Sequence, residues 1–196
     1  MHETIDKIRY VLALVILVTF PAAILFWVLI HPLARFWRRL GMVWTYTLTA
    51  AVGIGAMLWL AQYREPLLIV RYPFRWPLAV LGLAIYGIAI WIEVLCRKHL
   101  KKSVLVGAPE LGGQPTPLLK EGIYARTRNP RYLNILIAGI GWALVINYPT
   151  IYWVAILMFP GIYLIIWLEE RELLDRFGEE YEQYLRDVPR LWPRWG

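Results

Sequence analysis

Hydrophobic residues in this chain fill whole stretches between charges. Residues 10–30 run 21 positions without Asp, Glu, Lys or Arg, 41–63 run 23, 76–92 run 17, and 132–168 run 37. A helix needs about 20 residues to cross the hydrocarbon core of a bilayer, so each of the first three stretches predicts one spanning helix. The fourth is too long for one crossing, and Asn147-Tyr148-Pro149-Thr150 interrupts it with turn-forming residues. It predicts a hairpin with arms at 132–146 and 151–168. From residue 169 to 185 the pattern changes: Leu173, Leu174, Phe177, Tyr181, Tyr184 and Leu185 recur at three- and four-residue spacing. That is an amphipathic helix, weakened at Gly178 and ended by Pro189. The expected fold is an all-α integral membrane protein of five transmembrane helices, the last two a tight hairpin, plus a cytosolic amphipathic C-terminal helix.

Composition strengthens this reading. The chain is 59% hydrophobic with a mean hydropathy of +0.50, too apolar for a soluble domain of 196 residues. The first stretch is too long for a signal-peptide core, lacks an A-x-A-like exit and carries Pro21 mid-span, so it reads as mature structure. With five spans, 16 of the 21 Lys and Arg fall on the side of the C-terminus and five on the other. The positive-inside bias puts the C-terminus in the cytoplasm. It also accounts for the net charge of +7 without a nucleic-acid partner. Cys96 is the single cysteine, which excludes an internal disulfide, and His2, His31 and His99 have no metal-site spacing, so no metal is expected.

Two regions divide at Cys96. Residues 1–96 form an N-terminal three-helix transmembrane region. Residues 97–196 hold a basic run (RKHLKK), a Gly/Pro-rich segment (GAPELGGQPTP), the stretch EGIYARTRNPRYLN, the hairpin and the C-terminal helix. A hairpin returns the chain to the face it left. Residues 128–132 and the pair Glu169-Glu170 are therefore expected side by side at one membrane face.

LLKEGIYARTRNPRY, an uncharged hairpin, and then EERELLDRFGEEYEQYLRDVPRLWP resemble the integral membrane methyltransferases that include isoprenylcysteine carboxyl methyltransferases and phospholipid N-methyltransferases. The resemblance covers about residues 95–196. It implies S-adenosylmethionine as cofactor and a lipophilic small-molecule or lipid acceptor arriving from the bilayer. The family's cofactor loop corresponds to Thr116, Pro117, Leu118, Leu119 and Tyr124. Its Arg-His-Pro-x-Tyr motif falls on Arg128, Asn129, Pro130, Arg131 and Tyr132, and its acidic pair on Glu169 and Glu170. Chemically these suit the ligand: an anion for the ammonium, donors such as Asn129 or backbone N–H for the carboxylate or adenine, and tyrosines to wall the adenosine. No general base is required if the acceptor brings its own lone pair, so none is assigned.

Two positions depart from the family. Asn129 stands where the family has histidine, which keeps a donor and an acceptor but loses a titrating group. Ile165 stands where isoprenylcysteine enzymes carry an arginine, so a prenylcysteine carboxylate would lose a charge-assisted contact of about 1.5–3 kcal/mol. Plainer readings compete. Arg126, Arg128 and Arg131 also read as membrane-flanking charges, and Glu169 and Glu170 as first-turn acids of the C-terminal helix. Glu93 pairs readily with Arg97 four residues on. Rival functions are an NADPH-dependent lipid double-bond reductase, disfavoured by the lack of a Gly-rich fingerprint, and a non-catalytic membrane adaptor.

Overall fold

The computed structural model describes residues 2–99 and 117–194, and among them there is no strand. The helices are α1 (His2–Ile30), α2 (Ala34–Leu40), α3 (Met42–Gln62), α4 (Arg64–Leu68), α5 (Trp76–His99), α6 (Pro130–Ile146), α7 (Pro149–Phe177) and α8 (Glu179–Asp187). A 3₁₀ turn, Gly122–Ala125, precedes α6. Thr116, the end of the basic run and the Gly/Pro-rich segment lie outside the described residues.

Four helices, α1, α3, α5 and α7, are long and apolar enough to cross a membrane; α6, with 17 residues, is shorter. Their outer faces carry Val43, Trp44, Ile54, Leu58, Trp59 and Trp153, all more than half exposed. Large apolar side chains in such density face lipid, not water. The protein is an integral membrane protein.

Small residues set the tightest packing. α5 and α6 cross where Gly82 meets Gly141, and a Cβ on Gly82 would lie 2.5 Å from the Gly141 carbonyl oxygen. Only glycine permits that backbone approach, the usual device for joining helices in lipid. α1 packs through Ala13, Ile16 and Leu17 against Ile146, Ile151 and Ala155 of the hairpin.

The hairpin turn is shorter than expected. α6 ends at Ile146, Asn147 takes the left-handed conformation (φ 55°), and Pro149 already opens α7. Arg9, 3% exposed, closes the end of α6 from α1. Its Nε donates to the Ile146 carbonyl at 2.8 Å and its Nη2 to the Tyr72 carbonyl at 2.7 Å, while Asp6 accepts from Nη1 at 2.9 Å. A buried cation suits the carbonyl end of a helix dipole.

At the other end the structure corrects the expected C-terminal helix. No new helix starts at residue 169: α7 runs 29 residues unbroken from Pro149 to Phe177. Glu169 and Glu170 therefore lie well inside a helix, and the first-turn reading fails. Gly178, at φ 53° and ψ −128°, stops α7 outright, and α8 begins at Glu179. The amphipathic helix is two pieces, the second only nine residues.

Candidate functional site

A cavity of about 240 Å³ opens at the end of the bundle where α1, α5 and α7 finish and α6 begins. Ten of the twelve residues expected from the sequence line it: Pro117, Leu118, Leu119, Tyr124, Arg128, Asn129, Pro130, Arg131, Tyr132 and Glu169. Thr116 is outside the described residues. Glu170 is not on the wall.

The acidic pair divides because neighbouring residues on a helix point about 100° apart. Glu169 faces the cavity and accepts the Tyr132 hydroxyl at 2.6 Å. Glu170, 5% exposed, faces into the protein between two arginines. Arg128 reaches its Oε1 from Nη2 at 2.8 Å and from Nε at 3.2 Å. Arg190 reaches its Oε2 from Nη2 at 2.7 Å and its Oε1 from Nε at 3.2 Å. Of the expected pair, only Glu169 faces the cavity, while arginines hold both oxygens of Glu170.

Arg128 and Asn129 line the cavity but spend their donors elsewhere. Arg128 Nη1 donates to the Leu185 and Val188 carbonyls at 2.9 and 2.5 Å, and Asn129 Nδ2 donates to the Arg190 carbonyl at 3.0 Å. Thr127, fully buried, donates to the Leu191 carbonyl at 2.9 Å, and the Arg128 backbone N–H donates to the Pro189 carbonyl at 2.9 Å. Residues 185–191 are thus strapped across the start of α6. Arg190 also bonds the Tyr163 hydroxyl. Burial alone would lower the Arg190 guanidinium, but the Glu170 carboxylate outweighs it and the net direction is upward.

The cavity also gathers residues that sequence reasoning had passed over. Trp27 comes from the last turn of α1 and His31 from the residue just after it, their rings stacked at 5.4 Å. His31 Nδ1 lies 3.4 Å from Glu172 of α7. Arg176 and Phe177 come from the last turn of α7, Tyr181 and Tyr184 from α8, and His99 from the end of α5. Gly122, at φ +61°, has the His99 imidazole against it where a Cβ would collide. The tyrosines' amphipathic spacing was visible in the sequence. The roles of Trp27, His31 and Arg176 depend on α1 and α7 meeting, which no local pattern announces.

Burial dominates the electrostatics of the phenols. It pushes Tyr124 up, with the neighbouring Cys96 thiol adding to the effect. It pushes Tyr181 up, reinforced by Glu170 and Glu169, and Tyr184 up, partly opposed by Arg128. The Tyr184 hydroxyl donates to the Tyr124 carbonyl at 2.6 Å. The Tyr124 hydroxyl itself is buried with no oxygen or nitrogen partner among the described residues. Glu93 is held by Arg97 Nε at 2.6 Å and Asn134 Nδ2 at 3.0 Å, away from the cavity wall. No cluster of metal-ligating side chains occurs among the described residues.

The arrangement offers one carboxylate, aromatic and aliphatic walls, and arginine and phenol donors, suited to a ligand that is part charged and part apolar. The model of the phospholipid methyltransferase family matches residues 78–180. The chain is 31% identical over 172 residues to methanethiol S-methyltransferase 1 of Bradyrhizobium diazoefficiens, covering 76% of this chain and 53% of that protein. It therefore spans about half the length of the curated relative it matches. No solved structure matches.

Proposed function

The chain belongs to the phospholipid methyltransferase family, and from that premise we propose that it transfers the methyl group of S-adenosylmethionine to a small lipophilic acceptor in or at the membrane. The observation that carries this reading is Glu169, the one carboxylate lining the cavity among the described residues, held in place by the Tyr132 hydroxyl at 2.6 Å. A carboxylate fixed that way suits the cofactor's ammonium, and the Tyr124 hydroxyl, which has no oxygen or nitrogen partner among the described residues, suits its adenosine. Bound, the cofactor supplies an electrophilic methyl on a sulfonium.

The protein's own part is to bind, orient and keep water out. Pro117, Leu118 and Ile135 wall the cavity with apolar surface. Tyr181 and Tyr184, 1% and 5% exposed, close it from α8. Orientation of two reactants in a dry site is enough for displacement by an acceptor that carries its own lone pair.

The relative's name specifies a thiol acceptor, and a small thiol is the first acceptor to assay alongside lipid amines. Ile165, buried at 2% exposure, supplies no cation for a carboxylate acceptor at that position. In this reading α6 is the fifth span: 17 residues rise about 25 Å, close to a bilayer core once flanking residues anchor it. The positive-inside bias then places the cavity at the cytoplasmic face.

Titration calorimetry of detergent-purified protein with S-adenosylhomocysteine, in parallel with NADPH, tests the proposal. Heat with the former and none with the latter is expected. Silence with S-adenosylhomocysteine at millimolar concentration removes it. Methyl-labelled cofactor incubated with small thiols, or with a lipid extract, then assigns the acceptor class.

A further inference from the structure

Arg176 is the one arginine whose buried nitrogens lack acceptors among the described residues: neither Nε nor Nη1 has a hydrogen-bond partner. Arg176 has an ion pair within its own helix, but Glu172 Oε1 stands 4.0 Å from Nη1, beyond hydrogen-bond reach, and the same residue is shared with Arg38 and His31. The Phe177 ring lies under the guanidinium at 4.7 Å and steadies it. Buried donors in this state call for an acceptor. The guanidinium borders the cavity, which is where such an acceptor would come from.

Position sharpens the requirement. Glu169, Leu173, Arg176 and Phe177 all line the cavity from α7, at spacings of four, seven and eight residues, so they share one helix face. An anion and a cation thus stand on one wall, two turns or about 10 Å apart along the axis. Other donors on the wall are otherwise engaged or placed. Arg128 has given its donors to Glu170 and to two carbonyls. Asn129 has given its amide to Arg190. Arg131 stands at the first turn of α6, and no nitrogen of its side chain is among the buried unpaired donors.

The geometry points to Arg176 as the residue that holds an α-carboxylate, opposite Glu169 on the α-ammonium, so that α7 alone reads the zwitterionic amino-acid end of the cofactor. This assignment rests on the S-adenosylmethionine reading. A planar guanidinium fork suits a carboxylate, and an ammonium in its place keeps the charge but not the paired geometry.

The test compares S-adenosylhomocysteine with its decarboxylated form, S-adenosyl-3-thiopropylamine, by calorimetry on the full chain in detergent. The natural protein is expected to prefer the carboxylated ligand about tenfold or more. Arg176→Gln is expected to erase that preference by weakening S-adenosylhomocysteine alone, with Arg176→Lys intermediate. Arg131→Gln is expected to retain the preference, whatever it does to overall affinity. Because Arg176→Gln removes unpaired buried donors, it should melt no lower than the natural protein, and Arg176→Lys serves if it does. A preference that survives both Arg176 variants, or that disappears in Arg131→Gln instead, overturns the assignment. A natural protein that binds neither ligand brings down the cofactor reading and this one together.

Discussion

Tyr132 and Glu169 are 37 residues apart in sequence and 2.6 Å apart in space, phenol donating to carboxylate. The contact exists because α6 and α7 are joined by a turn of two residues, Asn147 and Tyr148, and run back side by side. It fixes the anion of the cavity wall in one orientation before any ligand arrives.

Replacing that anion is the most direct probe. Glu169→Gln keeps the shape and removes the charge, and should weaken S-adenosylhomocysteine by about 10- to 100-fold, the worth of one charge-assisted hydrogen bond. Tyr132→Phe leaves the charge but frees the carboxylate, and should cost less than tenfold. Calorimetry on both variants checks the order.

Glu170 should behave differently from its neighbour. Glu170→Ala leaves Arg128, 7% exposed in its side chain, without its counter-charge, a loss of about 3–5 kcal/mol when a buried pair is broken. Thermal melting in detergent should show a large fall. The paired change Arg128→Met with Glu170→Met should melt higher than Glu170→Ala alone, since the arginine then left without its carboxylate is Arg190, whose side chain is 32% exposed and can turn to water.

The α5–α6 crossing gives a packing prediction. In Gly82→Ala the added carbon meets backbone atoms, the Gly141 oxygen and the Val145 nitrogen, which cannot rotate aside. A loss of about 1–3 kcal/mol is expected. Gly87→Ala, on the same helix with nothing within 4 Å, should be neutral or slightly stabilising, and the same melting experiment compares them.

Alkaline pH should unfold the protein through its buried phenols. Tyr124, Tyr181 and Tyr184 are all raised by burial, so the fold holds them neutral while the unfolded chain ionises them from about pH 10. Their contribution is fully present below that pH and is lost as pH climbs above it, by up to about 1.4 kcal/mol per unit for each group. Melting temperature against pH should bend downward near 10, and Tyr124→Phe should make the descent shallower.

Much of this architecture was legible as uninterrupted apolar runs. The fold places helices over every one of them, and the turn falls within the predicted Asn147-Tyr148-Pro149-Thr150. The boundary at residue 169 was misread because charge returns there while the helical hydrogen bonding does not stop. Glu169–Phe177 simply continues α7 beyond its apolar stretch. Motif resemblance located most of the cavity wall but could not separate Glu169 from Glu170, whose difference is one of direction around a helix. Trp27, His31 and Arg176 were beyond reach, since they enter the cavity only through the packing of α1 on α7.

Gly178 has a consequence out of proportion to its size. Had the backbone stayed helical there, Tyr181 and Tyr184 would travel outward along the axis of α7 at about 1.5 Å per residue, and the cavity would stand open to water. No atom lies within 4 Å of where its Cβ would be, so there is ample room for a side chain. How far α8 covers the cavity is thus decided by a single torsional choice that only a residue without a side chain makes readily.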